Sequence, residues 1–183
     1  MGNYLMRGKN KRIQNAGTAL LVRRSRSCRG QTLVEFAMVA TTFFLLLFGV
    51  IDFSWALFNQ MNVQDAVREA GRYAATGNTV SGLSRNASIV QVLNSYAMQS
   101  GASIQSVTIS SVYGGSASYN ETTSQFTGTG GAGGPSDTVT ITATCSLPLL
   151  TGIIGQFFSA NGTYNFTASA TFRSEPFVTT PAP

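Results

Sequence analysis

One stretch constrains this chain more than any other: Gly30 to Phe58, GQTLVEFAMVATTFFLLLFGVIDFSWALF. From Phe36 to Ile51 it runs 16 residues without a charge, dominated by Phe, Leu, Val and Ile. Extended back to Leu33, the block has 19 residues. As a helix that is about 28 Å at ~1.5 Å per residue, close to a hydrocarbon core of about 30 Å. Asp52 and Trp55 then supply a polar stop and an interfacial aromatic. The block predicts a membrane-inserted helix with Phe43, Phe44, Leu46, Leu47 and Val50 on its apolar surface and Trp55 near its end.

Charge sets the expected orientation. The first 30 residues hold eight of the twelve Lys and Arg and no acid. Such flanking charge retains an N-terminus on the cytoplasmic side, so everything after Phe58 is expected across the membrane in a single-pass arrangement. The remaining 153 residues carry four basic side chains and all seven acids, a side-chain net charge of −3. The pI of 9.6 therefore belongs to the leader, and no nucleic-acid partner is implied.

A single carboxylate interrupts the start of the apolar block. Glu35 costs a few kcal/mol there even on insertion scales, which makes it a functional candidate. It stands in a pattern: basic residues, Gly30, four neutral residues, Glu35, Phe36 and a long apolar run. This pattern resembles the type III signal of prepilins and pseudopilins, which a prepilin peptidase cuts after the glycine on the cytoplasmic face. The resemblance implies a processing site at Gly30 and Gln31, with Glu35 and Phe36 serving recognition and assembly. In that family the glutamate is thought to neutralise the α-amino group of a neighbouring subunit. A secretory signal fits less well, because its apolar core would span only about 7–15 residues before small residues at a cleavage site.

Beyond Phe58 the helical period continues. Val63, Ala66, Val67, Ala70 and Ala74 share one face. Asp65 with Arg68 and Glu69 with Arg72 are i, i+3 pairs on an exposed surface. Gly77 with Asn78 ends the pattern. The helix expected over 31–75 is about 68 Å long, roughly half of it in lipid.

The run Arg29–Ala37 (RGQTLVEFA), then Phe48-Gly-Val-Ile-Asp-Phe53, then Ala66–Gly77, is similar to a TadE-like pseudopilin of the tight-adherence (Flp pilus) system. The similarity returns near the end, from Pro148-Leu-Leu through Arg173-Ser-Glu175. Phe36 stands where the Tad processing motif is usually quoted with Tyr, so an aromatic is kept. The resemblance implies a bacterial inner-membrane subunit with its head periplasmic or extracellular. Its implied partners are the prepilin peptidase, other pilins and the pilus assembly platform, without a small-molecule substrate.

The expected division is a basic leader over 1–30, a transmembrane and extended helix over 31–77, an extracytoplasmic head over 78–175 and a disordered tail over 176–183. The expected fold class is α+β and pilin-like, with a short helix and an antiparallel sheet of about three strands. Ser84 caps the short helix, whose apolar positions are Ile89, Val92, Leu93, Tyr96 and Ala97, and Gly101 closes it. Val107 and Ile109 mark one strand, Val139 to Leu147 a second, and Tyr164 to Phe172 a third. Residues 113–136, rich in Gly, Ser and Thr, read as a flexible loop. Leu149–Phe158 reads as an apolar connection containing a helical turn.

Catalytic constellations are lacking. There is no histidine, the commonest general base and metal ligand. Cys28 and Cys145 fall on opposite sides of the expected cut, and Cys145 on an apolar strand face reads as a small core residue. Gly128–Gly133 matches GxGxxG, but Pro135 and a strand follow where a helix is needed, so it reads as a loop. No metal, cofactor or enzymatic activity is expected. Two other readings stay open: an uncleaved membrane scaffold, and a pilus-associated adhesin that binds through 113–136.

Overall fold

The computed structural model describes residues 29–152, 155 and 161–177. The leader before Arg29, with Cys28, half of the connection over 149–158 and the tail after Phe177 lie outside the described residues. In chain order come α1 (Arg29–Ala75), α2 (Arg85–Ala97), β1 (Ser103–Ser111), β2 (Gly115–Asn120), β3 (Gln125–Thr127), β4 (Thr138–Pro148) and β5 (Thr163–Arg173). Residues 1–41 and 42–183 form two units, and α1 contributes to both.

In the first unit, α1 is exposed on nearly every side. Thr41 Oγ1 returns a hydrogen bond to the Ala37 carbonyl at 2.7 Å, so this polar group is satisfied within the helix.

In the second unit, the buried face of α1 follows the helical period from Asp52 through Ala56, Asn59, Val63, Ala66, Val67, Ala70 and Ala74. The pairs Arg68–Asp65 and Arg72–Glu69 close at 3.2 and 3.3 Å on the exposed side. α1 ends where Gly77 takes a left-handed φ of 73°, a conformation glycine adopts without steric cost. Two of its last carbonyls are capped from elsewhere: Arg85 Nη2 donates to Ala74 O at 2.8 Å and the Glu175 amide to Ala75 O at 2.9 Å. Phe177, inside the expected tail, packs its ring 4.4 Å from the Arg85 guanidinium.

The sheet is antiparallel with strand order β3-β2-β1-β4-β5. Val139, Ile141, Ala143, Cys145 and Leu147 turn inward from β4, all fully buried. Val107 and Ile109 from β1, with Phe166 and Ala168 from β5, join them in one cluster with the α1 face and Ile89, Val90 and Leu93 of α2. Alternate residues of each strand face away from this core, as a one-sided antiparallel sheet requires.

Three expectations are corrected. First, the sheet has five strands, because β2 and β3 form within 113–136. Their Ser, Thr and Gly side chains give little hydrophobic alternation, so they pair through backbone registry with β1, helped by Tyr119 against Phe126 at 4.9 Å. Second, the glycine-rich run is a built turn. Gly131 N donates to Gly114 O at 3.1 Å, and Asn86 holds Gly130 O at 2.7 Å and Ala132 N at 2.8 Å. Gly130 has φ 118° and leaves no room for a Cβ against Gly114. Third, α2 is rotated from its expected face: Val90 is buried, Val92 is partly exposed and Tyr96 is 54% exposed. Its N-cap is as expected, with Ser84 Oγ accepting from Ala87 N at 3.3 Å.

Candidate functional site

The candidate site is the part of α1 that precedes its buried face. Gly30, Gln31, Glu35 and Phe36 are all exposed, and nothing lies within 4 Å of where a Gly30 side chain would begin. Gln31 Nε2 donates to Glu35 Oε1 at 3.3 Å across one helical turn, an exposed i, i+4 contact worth a few tenths of a kcal/mol. Glu35 therefore stands clear of structural duties that would otherwise explain it.

Farther along the helix, Phe43, Phe44, Leu46, Leu47 and Val50 are exposed, from 37% at Leu47 to 64% at Leu46. The helix is apolar and long enough to cross a membrane, and none of its most apolar 18-residue window is buried by the protein itself. Uncovered Phe and Leu on this scale mark a surface that meets lipid or another chain. Phe43 packs edge-to-face on Phe44 at 5.7 Å, and Phe44 stacks on Phe48 at 6.1 Å.

The transition from exposed to buried helix falls at Asp52, only 2% exposed. Its carboxyl group accepts from the Thr151 amide at 3.0 Å and from the Thr151 hydroxyl. Two turns on, Asn59 is fully buried: its Oδ1 accepts from Gly101 N at 2.5 Å and its Nδ2 donates to Trp55 O at 2.8 Å. These two polar residues tie α1 to the segment after β4 and to the turn after α2. In the sequence Asp52 reads only as a membrane stop, and Asn59 carries no expected role. The signal was available, because both fall on the period that runs through Val63 and Val67. Trp55, expected only as an interfacial aromatic, is half-buried against the head core and stacks on Phe58 at 6.4 Å.

The remaining polar groups serve the head. Burial lowers the Arg85 pKa from its ordinary value, and the Asp137 charge opposes that shift. Arg85 Nη1 donates to Gly133 O at 2.6 Å, so it joins the α1 end to the glycine-rich turn. Cys145 is a free thiol, and burial pushes its pKa up to about 11. Among the described residues no His, Cys, Asp and Glu cluster of three or more gathers as a metal site.

The thiol gives a first prediction. In a Cys28→Ser chain, Cys145 should resist an alkylating reagent at pH 8 and react fully once denatured. The raised pKa keeps the folded thiol neutral while the unfolded one ionises, so this contribution to stability is intact below the ordinary value of 9.0 and declines toward pH 11. Urea midpoints measured across that interval should fall; a flat profile together with rapid native alkylation would place Cys145 outside the core.

A long apolar N-terminal helix, followed by a short helix and a five-stranded antiparallel sheet, is an α+β arrangement with a pilin-like layout. The model of the TadE-like protein family matches residues 30–72. Over this helix the chain is similar to TadE-like proteins, while the C-terminal similarities lie beyond the matched residues. No curated protein and no solved structure matches it.

Proposed function

We propose that the chain is a pseudopilin precursor, held in the bacterial inner membrane by its basic leader and cut after Gly30 by a prepilin peptidase. The observation that carries this reading is the uncovered apolar helix with one carboxylate, Glu35, at its start. Cutting there removes eight positive charges and makes Gln31 the first residue. The electrostatic tie to the cytoplasmic face goes with them.

A helix without that tie can leave the bilayer and pack against others through Phe43, Phe44, Leu46, Leu47 and Val50. In such a dry bundle, the Glu35 carboxylate pairs with the α-amino group of a neighbouring subunit. A pair of this kind selects register more than it adds stability, and removing one partner leaves the other charge buried and uncompensated. The mature subunit then joins, as a minor component, a Tad/Flp-type pilus that serves surface adherence.

Glu35→Ala should leave processing intact and reduce recovery of the chain with sheared fibres by about tenfold or more, the scale of a lost buried charge partner. Glu35→Asp should restore part of it. Wild-type recovery of the Ala variant would remove Glu35 from assembly.

A further inference from the structure

Beyond the end of its apolar run, one side of α1 carries apolar surface that the head leaves uncovered. From Leu33 to Ile51 the run already supplies about 28 Å of helix, close to a whole hydrocarbon core. Gln60 lies nine residues past Ile51, about 14 Å farther at ~1.5 Å per residue. Between them Phe53 and Leu57 stay exposed, Phe53 by 66%, while Asp52, Ala56 and Asn59 of the same stretch are buried. Beside them runs an open groove of about 410 Å³, walled by Phe53, Leu57 and Gln60 on α1 and by Leu149 and Tyr164 of the head.

The spacing of this surface is specific. Leu46, Val50, Phe53, Leu57, Gln60 and Gln64 follow one another at alternating intervals of four and three residues. That is the 3.5-residue repeat of a coiled-coil seam. All six are partly or fully exposed. The stripe through Leu47, Ile51, Ser54 and Phe58 has the same spacing but is interrupted at Ser54.

We infer that this seam packs against the same seam of a second copy, with the two α1 helices parallel and in register. The occupant must cross the same membrane and rise beside α1, because the seam runs from Leu46 and Val50 within the apolar run to Gln60 beyond it. It must be apolar opposite Phe53 and Leu57, which gain from leaving water, whereas lipid tails compete for Leu46 and Val50. It must also answer the Gln60 amide, which both donates and accepts. A second copy meets every condition, because Gln60 amides at equal height satisfy each other. One polar residue on such a seam fixes register at some cost in stability. No charged side chain lies on the seam from Leu46 to Gln64 to repel a copy. The groove supplies the hole and the second copy's Phe53 the knob. Confinement to one membrane holds both at one height before they meet, which lowers the cost of association.

Dimerisation of this kind needs one membrane crossing and no cleavage, so it is tested without the pilus machinery. Full chain with Cys28→Ser, whose Cys145 is buried, receives single cysteines. It is oxidised in membranes of a host that makes neither prepilin peptidase nor other pilus subunits. Val50→Cys and Leu57→Cys should form disulfide dimers about tenfold faster than Ile51→Cys and Phe58→Cys, because only seam positions come within disulfide reach of each other. Adding Gln60→Lys to the Leu57→Cys chain should slow its dimer about tenfold by setting like charges together. Adding Asn62→Lys, off the seam, should leave the rate unchanged, and unchanged Trp55 emission reports an intact head in both. Equal rates at all four cysteine positions, or cross-linking that Gln60→Lys does not slow, would overturn the inference. Absence of dimer at both Val50→Cys and Leu57→Cys would overturn it as well and leave the groove to lipid or to another pilus subunit. Cleavage after Gly30 enters none of these results, so failure here leaves the processing reading standing.

Discussion

Val67→Asp is expected to leave the chain in the membrane while opening its head to protease. Val67 is fully buried in the cluster that joins the α1 face to the sheet and α2. An aspartate there finds no basic partner in that cluster, and an uncompensated buried charge costs roughly 3–5 kcal/mol or more. That consumes much of the roughly 5–15 kcal/mol that holds a domain folded. The apolar residues from Leu33 to Ile51 are untouched, so fractionation should still recover the chain in membranes. Proteinase K added to the detergent-solubilised chain should degrade the variant head at concentrations the wild type survives. Arg68→Ala is the neighbouring control: its side chain is 66% exposed in a surface pair, and the change should be worth about 0.5 kcal/mol or less. Equal protection of Val67→Asp and wild type would mean that the sheet does not close on this face.

Asp52→Ala should weaken the head by about 2–3 kcal/mol, because it leaves both Thr151 donors without an acceptor where the carboxyl group is only 2% exposed. Asp52→Asn should recover part of the loss, since one oxygen can still accept the Thr151 amide. The chain has one tryptophan, and Trp55 lies half-buried against the core three residues away. Its emission in detergent therefore reports the urea midpoint directly. Combining Asp52→Ala with Thr151→Val should cost less than the sum of the single changes, the coupling expected of contacting residues. Additive effects would show that Asp52 acts as a membrane stop and not as a tether.

Both predictions rest on the buried face of α1, and only half of that face could be read from sequence. Val63, Ala66, Val67, Ala70 and Ala74 announce themselves because they are apolar and periodic. Asp52 and Asn59 continue the same face toward the N-terminus but are polar, and a polar residue reads as solvent-facing until its partner is known. Their partners, Thr151 and Gly101, are 99 and 42 residues away. Only the folded chain brings them together.

The sheet divides the same way. β4 and β5 alternate apolar residues with Ser, Thr or Asn and were legible for that reason. β2 buries only Ala117 fully and β3 buries nothing, so neither carries the alternation that marks a strand. Their positions depend on backbone pairing and on glycines at left-handed φ, such as Gly115, Gly128 and Gly130. The same glycines produced the GxGxxG match, which the turn explains without a nucleotide. On α2, Tyr96 fits the apolar period as well as Val90 does; packing against the sheet selects Val90.

The candidate site is defined by composition and order along one helix. Gly30, Glu35 and the apolar run need no tertiary contact to be recognised, and the family match covers the same segment.

Processing after Gly30 is tested by the intact mass and N-terminal sequence of the chain recovered from membranes, with and without the prepilin peptidase. The chain should begin at Gln31 only when the peptidase is present and should keep its leader without it. A chain that keeps residues 1–30 in both strains would contradict it and leave a signal-anchored scaffold.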